Sequence, residues 1–157
     1  FDGIQKIIIT QNDIRAIQLA KAALYAGAKL LIDKIGISQV DKIRFAGAFG
    51  SHIDVKYAMV LGLIPNCRLD AVSSAGNAAS TGARIALLDS ESRREIENEV
   101  AKIEKIETAT EPLFQEYFVK AMSIPHQSDD FSELEKEFVF PKSSKTKIRS
   151  KGRRRRK

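Results

Sequence analysis

Cysteine is nearly missing: Cys67 is the single one among 157 residues. One thiol excludes a disulfide framework within the chain and makes a reducing, cytoplasmic compartment the default. Long apolar runs are missing too. None approaches the roughly 18 residues that span a bilayer. The opening FDGIQKIIIT has neither a basic n-region nor a cleavage-like site, so neither a membrane span nor a signal peptide is expected. There is also no initiator methionine, and the chain enters a strand-like run, Lys6-Ile7-Ile8-Ile9-Thr10, almost at once. That start reads as an excised piece of a longer protein.

Acidic residues are absent from one stretch, the final KSSKTKIRSKGRRRRK of residues 142–157, which holds ten Lys or Arg. Residues 1–141 then carry 16 basic and 20 acidic residues, a balance of −4 behind the overall +6. With Ile148 as its one aliphatic residue, the tail is expected to be disordered, because it cannot bury enough apolar surface to offset the entropy of ordering. Residues 127–141 read as an irregular acidic segment before it. What remains, residues 1–126, is long enough for a real core. Its composition, within a chain 43% hydrophobic and 29% charged, is ordinary for a globular protein.

Strand and helix signals alternate along that part. A strand at about 6–10 leads into a helix that Thr10 or Asn12 can cap, with Asp13 complementing the positive helix end. Apolar residues at helical spacing carry it to Ile35, and Gly36 is a C-terminal stop. Gly27 inside it weakens the helix by about 1 kcal/mol relative to Ala, which implies close packing against another backbone. Further strands are expected at 42–46, 69–73 and 105–109. Helices are expected at 54–61, 78–88, 91–102 and from Pro112 to about Met122. This alternation predicts an α/β fold with a mostly parallel sheet flanked by helices.

Two stretches at carboxyl ends of predicted strands carry the functional signal, since ligands of open parallel sheets lie there. The first is Ala46-Gly47-Ala48-Phe49-Gly50-Ser51. It matches no standard phosphate-binding pattern, yet missing side chains let its backbone approach a flat ring or a ribose. A tight turn between strand and helix explains the same glycines. The second, Ser73-Ser74-Ala75-Gly76-Asn77 running into Ala78-Ala79-Ser80-Thr81-Gly82-Ala83, has almost no bulk over two helical turns. Close helix-to-sheet packing and a pocket beneath the helix start both account for it.

The order strand, glycine loop, short helix, strand, Gly/Ala-rich helix resembles the end of the actin-like (ribonuclease H-like) ATPase fold shared by sugar kinases, heat-shock chaperones and actin. More narrowly, ITQNDIRAIQLAKAALYAGAKLL, FAGAFGSHID, GLIPNC, GNAASTGARIALL and FQEYFVKAMSIPH resemble the C-terminal region of the reductive activators of corrinoid proteins. The resemblance covers roughly residues 5–126 and implies an ATP-dependent iron–sulfur protein that returns inactive Co(II) corrinoid to Co(I). By it, Gly47, Ala48, Phe49, Gly50 and Ser51 match the adenosine loop, and Gly76 with Asn77 matches the start of the final small-residue helix. ATP or ADP with Mg²⁺ is the implied cofactor, a corrinoid protein the implied partner, and a homodimer is implied by analogy. The phosphate-binding and Mg²⁺-binding segments of that family have no counterpart here, and one cysteine cannot supply the four ligands of a [2Fe-2S] cluster. On this reading Gly50→Val abolishes nucleotide binding by filling the space of the ring.

Other features are weaker. His52 and His126 lack the acid arrangement of a zinc site, and Cys67 reads as a structural thiol. Gln11-Asn12-Asp13 and Asp54 read as helix caps. Arg153 to Arg156 support a second class of function, a non-enzymatic module that holds RNA or an acidic protein through its tail. No interleaved aromatics or reading module accompany them, so nucleic acid is the lesser expectation.

Overall fold

Thr10 and Asp13 begin the longest element by capping each other. The Asp13 N–H donates to Thr10 Oγ1 at 3.3 Å, and the Thr10 N–H donates to Asp13 Oδ2 at 2.8 Å, a reciprocal capping box. Of the two candidate caps, Thr10 is therefore the one used. Helix α1 runs Gln11–Ile35 and ends at Gly36, whose left-handed backbone (φ 76°) lets its N–H reach Ile32 O and Asp33 O, as expected.

The computed structural model describes residues 7–138. After α1 come strand β1 (Ile43–Phe45), a 3₁₀ turn (Phe49–Ser51) and helix α2 (Val55–Leu61). A second 3₁₀ turn (Leu69–Ala71) leads into strand β2 (Val72–Ser74). Helices α3 (Ala78–Leu88), α4 (Ser90–Val100) and α5 (Phe114–Ala121) follow, and a single turn, α6 (Ser132–Glu135), comes last. Asp54 caps α2 by accepting the Tyr57 N–H at 3.1 Å, as its position predicts.

The two strands pair in parallel, Ile43 opposite Val72 and Phe45 opposite Ser74, with α2 in the crossover between them. The parallel sheet with flanking helices is thus present, but with two strands among the described residues. The expected strand at 6–10 is not formed over its described part: residues 7–10 are irregular, with Ile7, Ile8 and Ile9 each about 70% exposed. Isoleucine runs favour a strand only when an edge accepts their backbone groups, and neither β1 nor β2 pairs with them. The expected strand at 105–109 is replaced by an irregular run and a 3₁₀ turn at Thr108–Thr110. Lys6 and the whole basic tail lie outside the described residues.

The core gathers Ala22 and Tyr25 from α1, Ala58 and Met59 from α2, Ile64, Cys67, Val72, Ala121, Phe131 and Leu134. Phe131 and Leu134 come from the acidic segment that composition marks as irregular. It is acidic on average, yet Phe131 is 4% exposed and Leu134 fully buried, so two apolar side chains suffice to dock it. Phe138 packs partly against the same core. Helices α3 and α4 pack on each other and bury none of their residues. At Gly27 the expected close approach is not met among the described residues: a Cβ there would touch nothing within 4 Å.

Candidate functional site

β1 and β2 are parallel, so the segments that leave them emerge side by side. Ala75 N–H donates to Phe45 O at 2.7 Å, and one step further Gly47 N–H donates to Gly76 O at 2.7 Å. These bonds extend the ladder past both strands and join the two glycine segments that the sequence marks separately. Gly47 (φ 106°) and Gly76 (φ 60°) both hold left-handed backbone, so the turn requirement is real at each. A Cβ built on either would meet nothing within 4 Å. The two residues therefore present bare backbone to open space.

Around them the loops are internally fixed. Ser51 Oγ donates to Gly47 O at 3.3 Å, and Ser51 N–H to Ala48 O at 3.2 Å, closing the 3₁₀ turn that contains the Phe49 backbone. Gly76 N–H donates to Ser74 Oγ at 3.1 Å. Asn77 Oδ1 accepts the Ser80 N–H at 3.0 Å and caps α3, while Thr81 Oγ1 returns to Asn77 O at 3.2 Å. Asn77 is thus spoken for as a cap through its side-chain oxygen. None of the small residues of α3 is buried, so packing within the described chain does not account for them.

Gly50 differs from its neighbours. It is buried, and a Cβ there would lie 2.7 Å from Phe45 Cβ. Its missing side chain is accounted for by close approach to β1, not by a ring in open space. Gly50→Val is accordingly expected to lower the melting temperature of the ligand-free protein, by overpacking worth about 2 kcal/mol. A thermal scan in which the variant melts with wild type would restore the open-space explanation.

Two adjoining polar depressions of about 400 and 430 Å³ lie away from these loops and share Gln39, Val40, Asn66 and Ser132. Gln39 and Val40 precede β1, and Asn66 precedes β2, so both depressions sit towards the amino ends of the strands. Among the described residues, no group of three or more His, Cys, Asp or Glu is placed to hold a metal ion. Cys67 is a buried free thiol whose pKa burial pushes up, which suits a structural residue.

Sequence reasoning missed a polar cluster around His126. Its ring lies 4.8 Å from the Tyr25 ring, and the Tyr25 hydroxyl donates to Asp129 Oδ2 at 2.8 Å. Lys21, completely buried, donates to Ser123 O and to Pro125 O, the latter at 2.7 Å. A usable signal was present: Lys21 falls among core positions of α1, beside Ala22 and Tyr25, where a charge needs a reason.

Known proteins resemble this chain in sequence and in fold. The family model described as the C-terminal domain of RACo, the ASKHA domain, matches residues 2–135. The corrinoid activation enzyme RamQ of Eubacterium limosum is 47% identical over 116 residues, 72% of this chain and 19% of that protein. A solved structure of a reductive activator for corrinoid, iron–sulfur protein superposes with a TM-score of 0.70 at 32% identity, over 76% of this chain and 19% of that one. The chain thus spans about a fifth of the length of the relatives it matches. With helices flanking a small parallel sheet and two glycine loops joined at its carboxyl end, the chain belongs to the family of the C-terminal ASKHA domain of RACo.

Proposed function

We propose that this chain is the C-terminal part of an ATP-dependent reductive activase that returns an inactive Co(II) corrinoid protein to Co(I). Within it, the chain supplies the adenosine side of the nucleotide cleft. The observation that carries the reading is the Gly47–Gly76 junction, two left-handed glycines bonded to each other with open space where their side chains would be. A ring or ribose needs such bare backbone. Gly47, Ala48, Phe49, Gly50 and Ser51 form one wall, and Gly76 with Asn77 the other.

Other groups belong to the remainder of the activase on this reading. Cys67 is single and buried, which does not fit a [2Fe-2S] cluster, and the described residues hold no acidic cluster for Mg²⁺. When bound, ATP would supply the free energy for an unfavourable reduction, provided the open and closed conformations differ in affinity for it. The residues of this chain orient its adenosine end. Cytoplasmic location is part of the proposal and agrees with a free thiol; no helix among the described residues is long and apolar enough to cross a membrane.

Gly76→Asn tests the wall. Asn tolerates the left-handed region, so the backbone survives while a side chain enters the open space. In the full-length protein, calorimetric titration with ATP should show affinity weakened at least about tenfold, equivalent to about 1.4 kcal/mol. The melting temperature should move by only a few degrees. Unchanged ATP affinity would remove Gly76 from the site and the adenosine wall with it.

A further inference from the structure

One stripe of α1 holds the chain that follows α5. Gln18 Nε2 donates to Met122 O at 3.0 Å, Lys21 to Ser123 O and Pro125 O, and Tyr25 to Asp129. Lys29 Nζ lies 3.7 Å from Asp129 Oδ2. Residues 18, 21, 25 and 29 recur at helical spacing and form a polar seam. At its centre, His126 Nδ1 accepts two backbone N–H groups, from Ser128 at 3.2 Å and Asp129 at 2.9 Å. An imidazole that accepts at Nδ1 carries its proton on Nε2 and is neutral. Its side chain is 3% exposed.

We propose that residues 126–134 form an acid-released strap, closed over α1 while His126 is neutral and freed when Nδ1 takes a proton. Protonation converts the shared acceptor into a donor facing two donors, so both bonds to Ser128 and Asp129 are lost together. The surroundings reinforce the neutral state. Burial, with the ring set against Tyr25, opposes a positive charge most, and Lys21 and Lys29 from α1 and Lys120 from α5 add to it. Asp129 on the strap itself favours the charge but is outweighed, leaving the His126 pKa below its ordinary 6.5. Lys21 stays charged throughout the acidic range and keeps residues 123–125 anchored, so the strap opens from 126 onwards. Opening withdraws Phe131 and Leu134 from the core and uncovers Tyr25.

The sign follows from linkage. The closed strap binds fewer protons than the open one, so closure weakens as pH falls below 6.5, by up to about tenfold per pH unit. Hydrogen exchange read by mass spectrometry on the full-length protein measures this directly, with protection corrected for the intrinsic rate. Peptides covering 126–134 should lose protection by up to about fivefold between pH 6.5 and about pH 5.5. Peptides from α1 and α5 should hold theirs. His126→Asn, which keeps an acceptor near Nδ1 but cannot titrate in this range, should flatten the response. Constant protection of 126–134, loss shared with α5, or the same loss in His126→Asn would each overturn the proposal. The comparison of strap with α5 inside the wild-type protein stands even where the variant does not fold.

Discussion

Gly62→Ala is expected to destabilise the protein by about 3–4 kcal/mol, the sum of a left-handed backbone penalty and a forced displacement. Gly62 closes α2 at φ 70°, and its N–H reaches Met59 O at 2.9 Å. A Cβ there would lie inside contact distance of the Pro125 carbonyl, whose oxygen also accepts a hydrogen bond from Lys21. Backbone is in the way, not the end of a flexible side chain, so relief requires moving the whole 123–125 segment. Gly36→Ala separates the two contributions. It has the same left-handed backbone at φ 76° with nothing within 4 Å, and should cost only about 1 kcal/mol. Urea titration of both variants measures the difference. Equal midpoints would mean that the approach of Pro125 to α2 contributes nothing.

Lys21→Met should lose about 1–2 kcal/mol at pH 7, and the deficit should widen as pH rises. The substitution leaves Ser123 O and Pro125 O without their donor, but it also removes a charge that burial disfavours. That burial lowers the Lys21 pKa from 10.5 to about 8. Between those values the unfolded chain binds a proton that the folded chain does not, so wild type gains stability with rising pH, by up to about 1.4 kcal/mol per unit. A neutral amine still carries enough hydrogens for both carbonyls. The methionine variant has no such gain, and by about pH 10 its deficit should reach about 4 kcal/mol. Denaturation at pH 7, 8.5 and 10 decides the matter. A deficit that is flat with pH would place the ammonium in water, not buried against residues 123–125.

Local sequence signals located most helix ends. Thr10 with Asp13, Gly36, Asp54 and Gly62 work through hydrogen bonds that span three or four residues, so the chemistry that stops or starts a helix is contained in a short window. Strands fared worse for the same physical reason. Ile7-Ile8-Ile9 and the run at 105–109 have strand-like composition, but a strand exists only where a second backbone completes its hydrogen bonds, and that partner is remote in sequence. The acidic segment shows the limit of averages. Its mean composition predicts irregular chain, whereas Phe131 and Leu134 decide where it sits.

From the sequence alone came the α/β class, the family resemblance and the two glycine segments. Each rests on residue type and short spacing, which a linear chain displays. Tertiary structure alone decided how those glycines divide their work. Gly47 and Gly76 are 29 positions apart in the chain and meet only because β1 and β2 run parallel. Gly50 looks identical in sequence, yet it is set against Phe45 by the turn that follows β1. The strap was missed although Lys21 among the core positions of α1 signalled it, because the partners of Lys21 and the Tyr25 ring against His126 lie about a hundred residues away in the chain.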